Sequence, residues 1–182
     1  VLAKNQTEGK GQRGNIWQVE SGKNLTFSLV LKPNLAVNEQ FMLSKVVALG
    51  ITDFLTSLNL EQVNIKWPND IWVNNKKVAG ILIENTLKTN KISTSIIGIG
   101  LNVNQHVFNS NLNATSLQNE LSINFDLETL LNDLLICLEK RYLVLRALQY
   151  QKINTDYLNN LLGYNAEFNY KIGNNPCKGI IR

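Results

Sequence analysis

One histidine, two cysteines and one methionine are all that 182 residues contain of the side chains most used for transition metals and redox chemistry. Cys137 and Cys177 stand far apart and belong to no CxxC pair or metal-ligand set, which excludes a structural zinc site and a dithiol centre. A reduced, cytoplasmic setting is the expectation. No apolar run of 18 uncharged residues occurs, so no membrane span is expected, and Val1-Leu2-Ala3 lacks the charged start and apolar middle of a secretory signal. Charge of either sign is modest. The net +4 is scattered along the chain rather than gathered in a stripe, so no nucleic-acid partner is expected. With no internal repeat or long low-complexity linker, the chain suits one principal domain.

What is present is a cluster of chemistry-bearing residues at Lys66-Trp67-Pro68-Asn69-Asp70, followed by Lys76-Lys77-Val78-Ala79-Gly80-Ile81-Leu82. Pro68 cannot donate to a β-ladder, so a strand should end at Trp67, and Asn69-Asp70 should turn the chain into a second strand over 71–73. Asn74-Asn75 then supplies a hairpin turn. The meander can bring Asp70 and Lys77 together as a site for an anion and a metal. Taken alone, the lysine pair is equally a solvated turn and Trp67 a core residue.

A second stretch, Gln6-Thr7-Glu8-Gly9-Lys10-Gly11-Gln12-Arg13-Gly14-Asn15-Ile16-Trp17, lets the backbone approach a ligand closely while Lys10 and Arg13 add positive charge. It suits a phosphate or carboxylate. It is neither a P-loop nor a dinucleotide fingerprint, because the Gly-Lys-Ser/Thr ending is missing and a strand, 25–31, follows where a Rossmann loop needs a helix. As a lone feature it is also readable as a surface loop.

The periodicities predict an α+β fold with a mixed sheet packed with helices. Strands are expected near 1–5, 25–32, 63–67, 71–73, 77–86 and 93–103. Asn38 should cap a helix running to about Leu58, and Asp126 a long buried helix through Leu145. A short helix near 154–162 precedes a strand over 166–172, a turn at Gly173-Asn174-Asn175 and a last strand over 178–181.

Three motifs in order, namely the glycine-rich loop at 6–17, Lys-Trp-Pro-Asn-Asp at 66–70 leading to 77–82, and Gly98-Ile99-Gly100-Leu101-Asn102-Val103-Asn104, resemble the catalytic domain of biotin protein ligases. The resemblance implies a class II aminoacyl-tRNA synthetase-like catalytic domain over 1–162, then the opening hairpin of a small SH3-like domain over 163–182. Relative to the family, a Ser-Thr-Asn-type segment that helps bind biotin is expected ahead of Val1, and no DNA-binding helix-turn-helix is seen.

The implied reaction joins biotin to ATP as biotinyl-5′-AMP and passes the biotinyl group to a lysine of a biotin carboxyl carrier protein, with Mg²⁺ screening the phosphates. A carboxylate nucleophile is already ionised near neutrality, so charge neutralisation matters more than a general base. His106 is accordingly placed in a loop. The resemblance assigns biotin to Gln6, Gly9, Lys10, Gly11, Gln12, Lys77, Gly98 and Gly100. It assigns ATP to Lys66, Asn69, Asp70 and Asn102, the metal to Asp70, and catalysis to Lys77, Arg13 and Asp70. Gly98 and Gly100 are also readable as strand-bulge glycines, and Trp17 and Trp67 as pocket walls or core.

Two departures stand out. Lys10 and Gln12 occupy positions where the family loop commonly holds arginine, and Ala114 falls near where some members place an aromatic residue against adenine. The alternatives are a non-catalytic biotin-binding module and a lipoate or octanoate ligase. A homodimer is left open.

Overall fold

The computed structural model describes residues 1–173 and 175–182, apart from the side chains of Arg13, Lys171 and Ile172. Asn174, part of the expected turn, lies outside the described residues, as does the Arg13 side chain.

Six strands form one sheet in the order β1 (Leu2–Ala3), β2 (Leu25–Leu31), β6 (Lys91–Leu101), β5 (Lys76–Lys88), β4 (Asp70–Val73) and β3 (Val63–Lys66). Every pairing between these strands is antiparallel, and the parallel contacts among the described residues are isolated bridges, Ile65 to Leu161, Lys77 to Ala114 and Tyr164 to Ile181. Asn74 and Asn75 both adopt positive φ, 48° and 61°, which a two-residue hairpin turn of right-handed twist requires.

Helix α1 (Gln40–Ser57) crosses the sheet and carries ten buried residues. Asn38 does not cap it. A 3-10 turn over Val37–Glu39 precedes the helix, and the Glu39 carboxylate accepts from the Ala36 N–H at 3.2 Å. The short helix α2 (Leu117–Leu121) follows the sheet. Asp126 caps α3 (Leu127–Arg146) by accepting from the Thr129 N–H at 2.9 Å. That helix buries a stripe, Leu130, Leu134, Leu138 and Leu145, while Leu143 is 54% exposed, so it is amphipathic rather than buried throughout. Helix α4 (Tyr150–Asn159) starts four residues earlier than periodicity suggested. The hairpin β7 (Glu167–Ile172) and β8 (Asn175–Ile180) is a separate two-stranded sheet.

Arg141 fastens the helical layer. Its guanidinium donates to Asp53 of α1 at 2.5 and 2.8 Å and to Asp156 of α4 at 2.5 Å, with its side chain only 15% exposed. Burial pulls the Asp156 carboxyl upward, but the hydrogen bonds from Arg141 and Lys152 outweigh it and hold the group below its ordinary value. A depressed carboxyl pKa contributes stability above its unfolded value, near 4, and loses it as pH falls through the folded value. Arg141→Met should therefore cost about 1–3 kcal/mol at pH 7, less than for a fully buried network because both carboxylates are partly solvated. Denaturant titrations should show the wild-type advantage shrinking below about pH 4.

Candidate active site

Register decides which residues share the sheet face away from the helices. Thr26, Gly100 and Gly80 are successive cross-strand partners on β2, β6 and β5, and the row continues through Asp70 to Lys66. Ser28, Gly98 and Leu82 form the next row, then Val30, Ile96 and Glu84. The alternate residues, Phe27, Ile97, Ile99, Ala79 and Ile81, face the core.

Strict alternation would send Lys77 into that core. A register shift between Ile71 and Trp72 pairs Trp72 with Lys77 instead of Val78. Val78 becomes the extra residue of a bulge, so Val78 and Ala79 are both fully buried in succession and Lys77 turns onto the open face. There its ammonium lies 2.7 Å from Asp70 Oδ1 and 5.3 Å from the centroid of the Trp17 ring. Neither charge is deeply buried, with side-chain exposures of 30% and 23% for Lys77 and Asp70.

The glycine-rich loop closes over this face. The Trp17 N–H donates to the Gly9 carbonyl at 2.8 Å, the Gly11 N–H donates to the Asn15 carbonyl at 2.7 Å, and a 3-10 turn spans Gln12–Gly14. Trp17 lays its indole on the paired glycines Gly80 and Gly100: a Cβ on Gly100 would fall inside the ring, and one on Gly80 would lie 3.1 Å from Cζ3. Gly9 is equally constrained, since a Cβ there would collide with the Trp17 carbonyl. Gly98 differs. A Cβ at that position meets only Leu82, at 3.5 Å from its carbonyl oxygen and 3.8 Å from its Cβ. Among the described residues, then, Gly80 and Gly100 serve the indole, and Gly98 leaves space that no protein atom uses. The register shifts lie elsewhere, so neither Gly98 nor Gly100 is a bulge residue.

Around this floor is a cavity of about 510 Å³. It gathers Gln6, Lys10, Gly11, Gln12, Asn69, Asp70, Lys77, Gly98 and Gly100 of the sequence-derived set, with Trp17 and Trp67 among its walls. Gly9 sits behind the loop rather than on the lining. Lys66 occupies the same face but swings over Trp72, its Nζ 3.8 Å from that ring's centroid, and does not line the cavity. Asn102 is also kept from it. The segment 113–117 passes over this residue, whose Nδ2 donates to the Thr115 carbonyl at 3.0 Å; it is 3% exposed, with Oδ1 buried and without a hydrogen-bond partner among the described residues. Ala114 bridges to Lys77 through the backbone, and His106 lies exposed in a loop. Thr26, Ser28, Gly80 and Leu82, which sequence reasoning did not select as site residues, also line the cavity. Alternation along β2 hints at the first two, but only the register places them opposite Gly100 and Gly98. Among the described residues no group of three or more metal-ligating side chains occurs, and no helix is long and apolar enough to cross a membrane.

The biotin/lipoate A/B protein ligase family model matches residues 1–102, which contain all but one edge of this construction. The chain belongs to that family. Curated relatives include the bifunctional ligase/repressor BirA of Bacillus spizizenii, 35% identical over 146 residues that cover 78% of this chain and 45% of that protein. Another is the biotin–[acetyl-CoA-carboxylase] ligase of Paracoccus denitrificans, 38% identical over 105 residues covering 57% of this chain and 43% of the relative. The chain thus spans less than half the length of these family members. Among solved structures of the family, the biotin protein ligase from Aquifex aeolicus in complex with biotin and ATP superposes with a TM-score of 0.80 at 26% identity, covering 98% of this chain and 75% of that one.

The loop's internal bonds and its Trp17 anchor hold one end, while Ile16 is 73% exposed and Gln6 to Glu8 lie open to solvent. Few apolar contacts secure the rest. Amide exchange across residues 8–16 should slow when biotin and ATP are added together. Equal exchange with and without ligand would remove the loop from the binding site.

Proposed function

We propose that this chain carries the catalytic core of a biotin protein ligase, acting on biotin and ATP and then on a biotin carboxyl carrier domain. The observation that carries the reading is the Lys77–Asp70 pair, bulged onto a glycine floor beneath Trp17, in a cavity also lined by the cationic glycine-rich loop. Membership of the ligase family supports it.

In the first step a biotin carboxylate oxygen bonds to the α-phosphorus, the bond to the bridging oxygen of the β-phosphate breaks, and pyrophosphate leaves. Two anions must be brought together. Lys77 offsets their repulsion, and Asp70 holds its ammonium in place; Lys10 adds charge from the loop. In the second step a lysine amine attacks the acyl carbon, the carbon–oxygen bond to AMP breaks, and the amine's proton passes to solvent. Trp17 and the loop would keep water from the anhydride in the interval.

The donor set suits Mg²⁺ brought in with ATP, since such sites commonly combine one or two carboxylates with substrate phosphates. Asp70 would hold the ion together with those phosphates. When bound, the ion would supply phosphate charge screening. On this reading the hairpin over 163–182 opens a small SH3-like domain, and the two free cysteines fit a cytoplasmic setting.

Parallel incubations with biotin, lipoate or octanoate, each with ATP, Mg²⁺ and a carrier domain, test the assignment. Label on the carrier only in the biotin arm is expected. Transfer of lipoate or octanoate instead would move the chain to the other branch of its family, and binding of biotin without turnover would make it a non-catalytic module.

A further inference from the structure

Strand β6 pairs with β5 only as far as Leu101 opposite Ala79, after which the Asn102 N–H donates to the Val78 carbonyl at 2.9 Å. The segment 113–115 takes over from there. It bridges in parallel to Lys77 and bonds both of that residue's backbone groups: the Lys77 N–H donates to the Asn113 carbonyl and the Thr115 N–H to the Lys77 carbonyl, each at 2.9 Å. On the other side Lys77 meets Trp72 through the shifted register. A bulge interrupts the ladder, and a slip of one residue would turn the ammonium toward the core, so what grips Lys77 here decides where its charge lies.

Helix α2 ties the segment down. The Leu117 and Gln118 N–H groups donate to the Asn102 and Val103 carbonyls at 3.2 and 2.9 Å, Leu117 is fully buried, and the Ser116 hydroxyl accepts from the Asn119 N–H at 3.2 Å. From α2 the Glu120 carboxylate reaches two ways. Its Oε1 accepts from the Thr115 hydroxyl at 2.5 Å and its Oε2 from the Asn74 side-chain amide at 2.6 Å, joining the crossing segment to the turn between β4 and β5. Asn113 adds a second tie, its Nδ2 donating to the Asn75 carbonyl at 2.8 Å. Lys77 follows directly on the tied turn and bonds to the tied segment. None of Asn74, Asn113, Thr115 and Glu120 lines the candidate active site, so any effect of theirs on the reaction has to pass through another residue.

We propose that Glu120 is a positioning residue for the adenylation step: by clamping Thr115 to Asn74 it keeps Lys77 in its bulge, with the ammonium beside Asp70. The inference rests on the ligase reading and says how the charged group of that site is aimed. A carboxylate suits the clamp because it accepts from two donors at once. Charge stabilisation depends on placement, and a misplacement of about 1 Å can cost on the order of a hundredfold in rate.

Glu120→Ala removes both bonds. Glu120→Gln can keep both, since its amide oxygen accepts from Thr115 and its NH₂ donates to Asn74 once the Asn74 amide turns over. Asn74→Gly cuts only the arm to the turn, and glycine tolerates the positive φ of 48° at that position. Pyrophosphate release is measured as biotin and ATP are varied, with excess hydroxylamine to turn the adenylate over, for each folded variant and for Lys77→Ala with and without Glu120→Ala. The expected kcat is about tenfold lower for Glu120→Ala and about threefold lower for Asn74→Gly, with KM for both substrates within about threefold of wild type. Glu120→Gln should return to within about twofold of the wild-type kcat. In the Lys77→Ala background neither Glu120→Ala nor Asn74→Gly should cost anything further, because the group they aim is gone. A loss that persists undiminished in that background would route the effect through another residue, such as Asn102, and overturn the proposal. Wild-type kcat in folded Glu120→Ala, or Glu120→Gln as slow as Glu120→Ala, would also overturn it. Should Glu120→Ala fail to fold, Asn74→Gly decides by the same comparison. Absence of pyrophosphate release by wild type would reject the ligase reading itself, and the clamp's role with it.

Discussion

Gly98→Val should leave the fold intact and weaken biotin binding by at least about a hundredfold, roughly 2.7 kcal/mol. The added side chain has room with respect to the protein, because its Cβ would meet only Leu82 at ordinary van der Waals distances, and a β-branched residue suits a strand better than glycine. What it fills is the cavity floor between Ser28 and Leu82, the space reserved for the ligand on this account. Gly100→Ala provides the contrast. Its Cβ would enter the Trp17 ring, so that variant should lose about 1–3 kcal/mol of stability through over-packing. Calorimetric biotin titration beside a thermal melt separates the two. Tight binding by Gly98→Val would mean that biotin lies elsewhere.

Lys77→Ala should cut biotinyl-AMP formation about a hundredfold, which corresponds to roughly 3 kcal/mol of lost charge stabilisation. The backbone of Lys77 is held independently of its side chain: its N–H donates to the Asn113 carbonyl and its carbonyl accepts from the Thr115 N–H, both at 2.9 Å. Alanine retains those bonds, and Asp70 is exposed enough to be resolvated, so little stability should be lost. Pyrophosphate release by stopped-flow, at saturating biotin and ATP, reads the effect. A folded variant that turns over at the wild-type rate would strike Lys77 from the reaction.

The local motifs were legible because their chemistry is written in adjacent residues. Asn74-Asn75 specified a two-residue turn, Pro68 ended a strand, and Asp126 capped its helix, each through interactions spanning only a few positions. Positions set by pairing were harder to read. Simple alternation along β5 points Lys77 inward, and only the bulge at Val78 brings it beside Asp70. The consecutive apolar pair Val78-Ala79 is the trace of that bulge in the sequence, but the same pair would suit an uninterrupted buried strand. Likewise, Gly80, Gly98 and Gly100 look alike in sequence and differ in what stands over them: Trp17, brought from far along the chain, covers two and leaves the third open. Asn102 has the parity of the site face, and it is the crossing segment 113–117 that takes up its amide. Asn38 failed as a cap because Glu39 supplied the first acceptor and a 3-10 turn came before the helix.

On the proposed function, this arrangement of Lys77, Asp70 and the glycine-rich loop makes an acyl-adenylate. Mixing the chain with biotin, ATP and Mg²⁺ in the absence of any acceptor, then separating protein from free nucleotide and analysing the bound fraction by mass spectrometry, tests it directly. Biotinyl-5′-AMP should be retained on the protein, with one pyrophosphate released for each adenylate formed. Bound biotin with intact ATP and no pyrophosphate would contradict it.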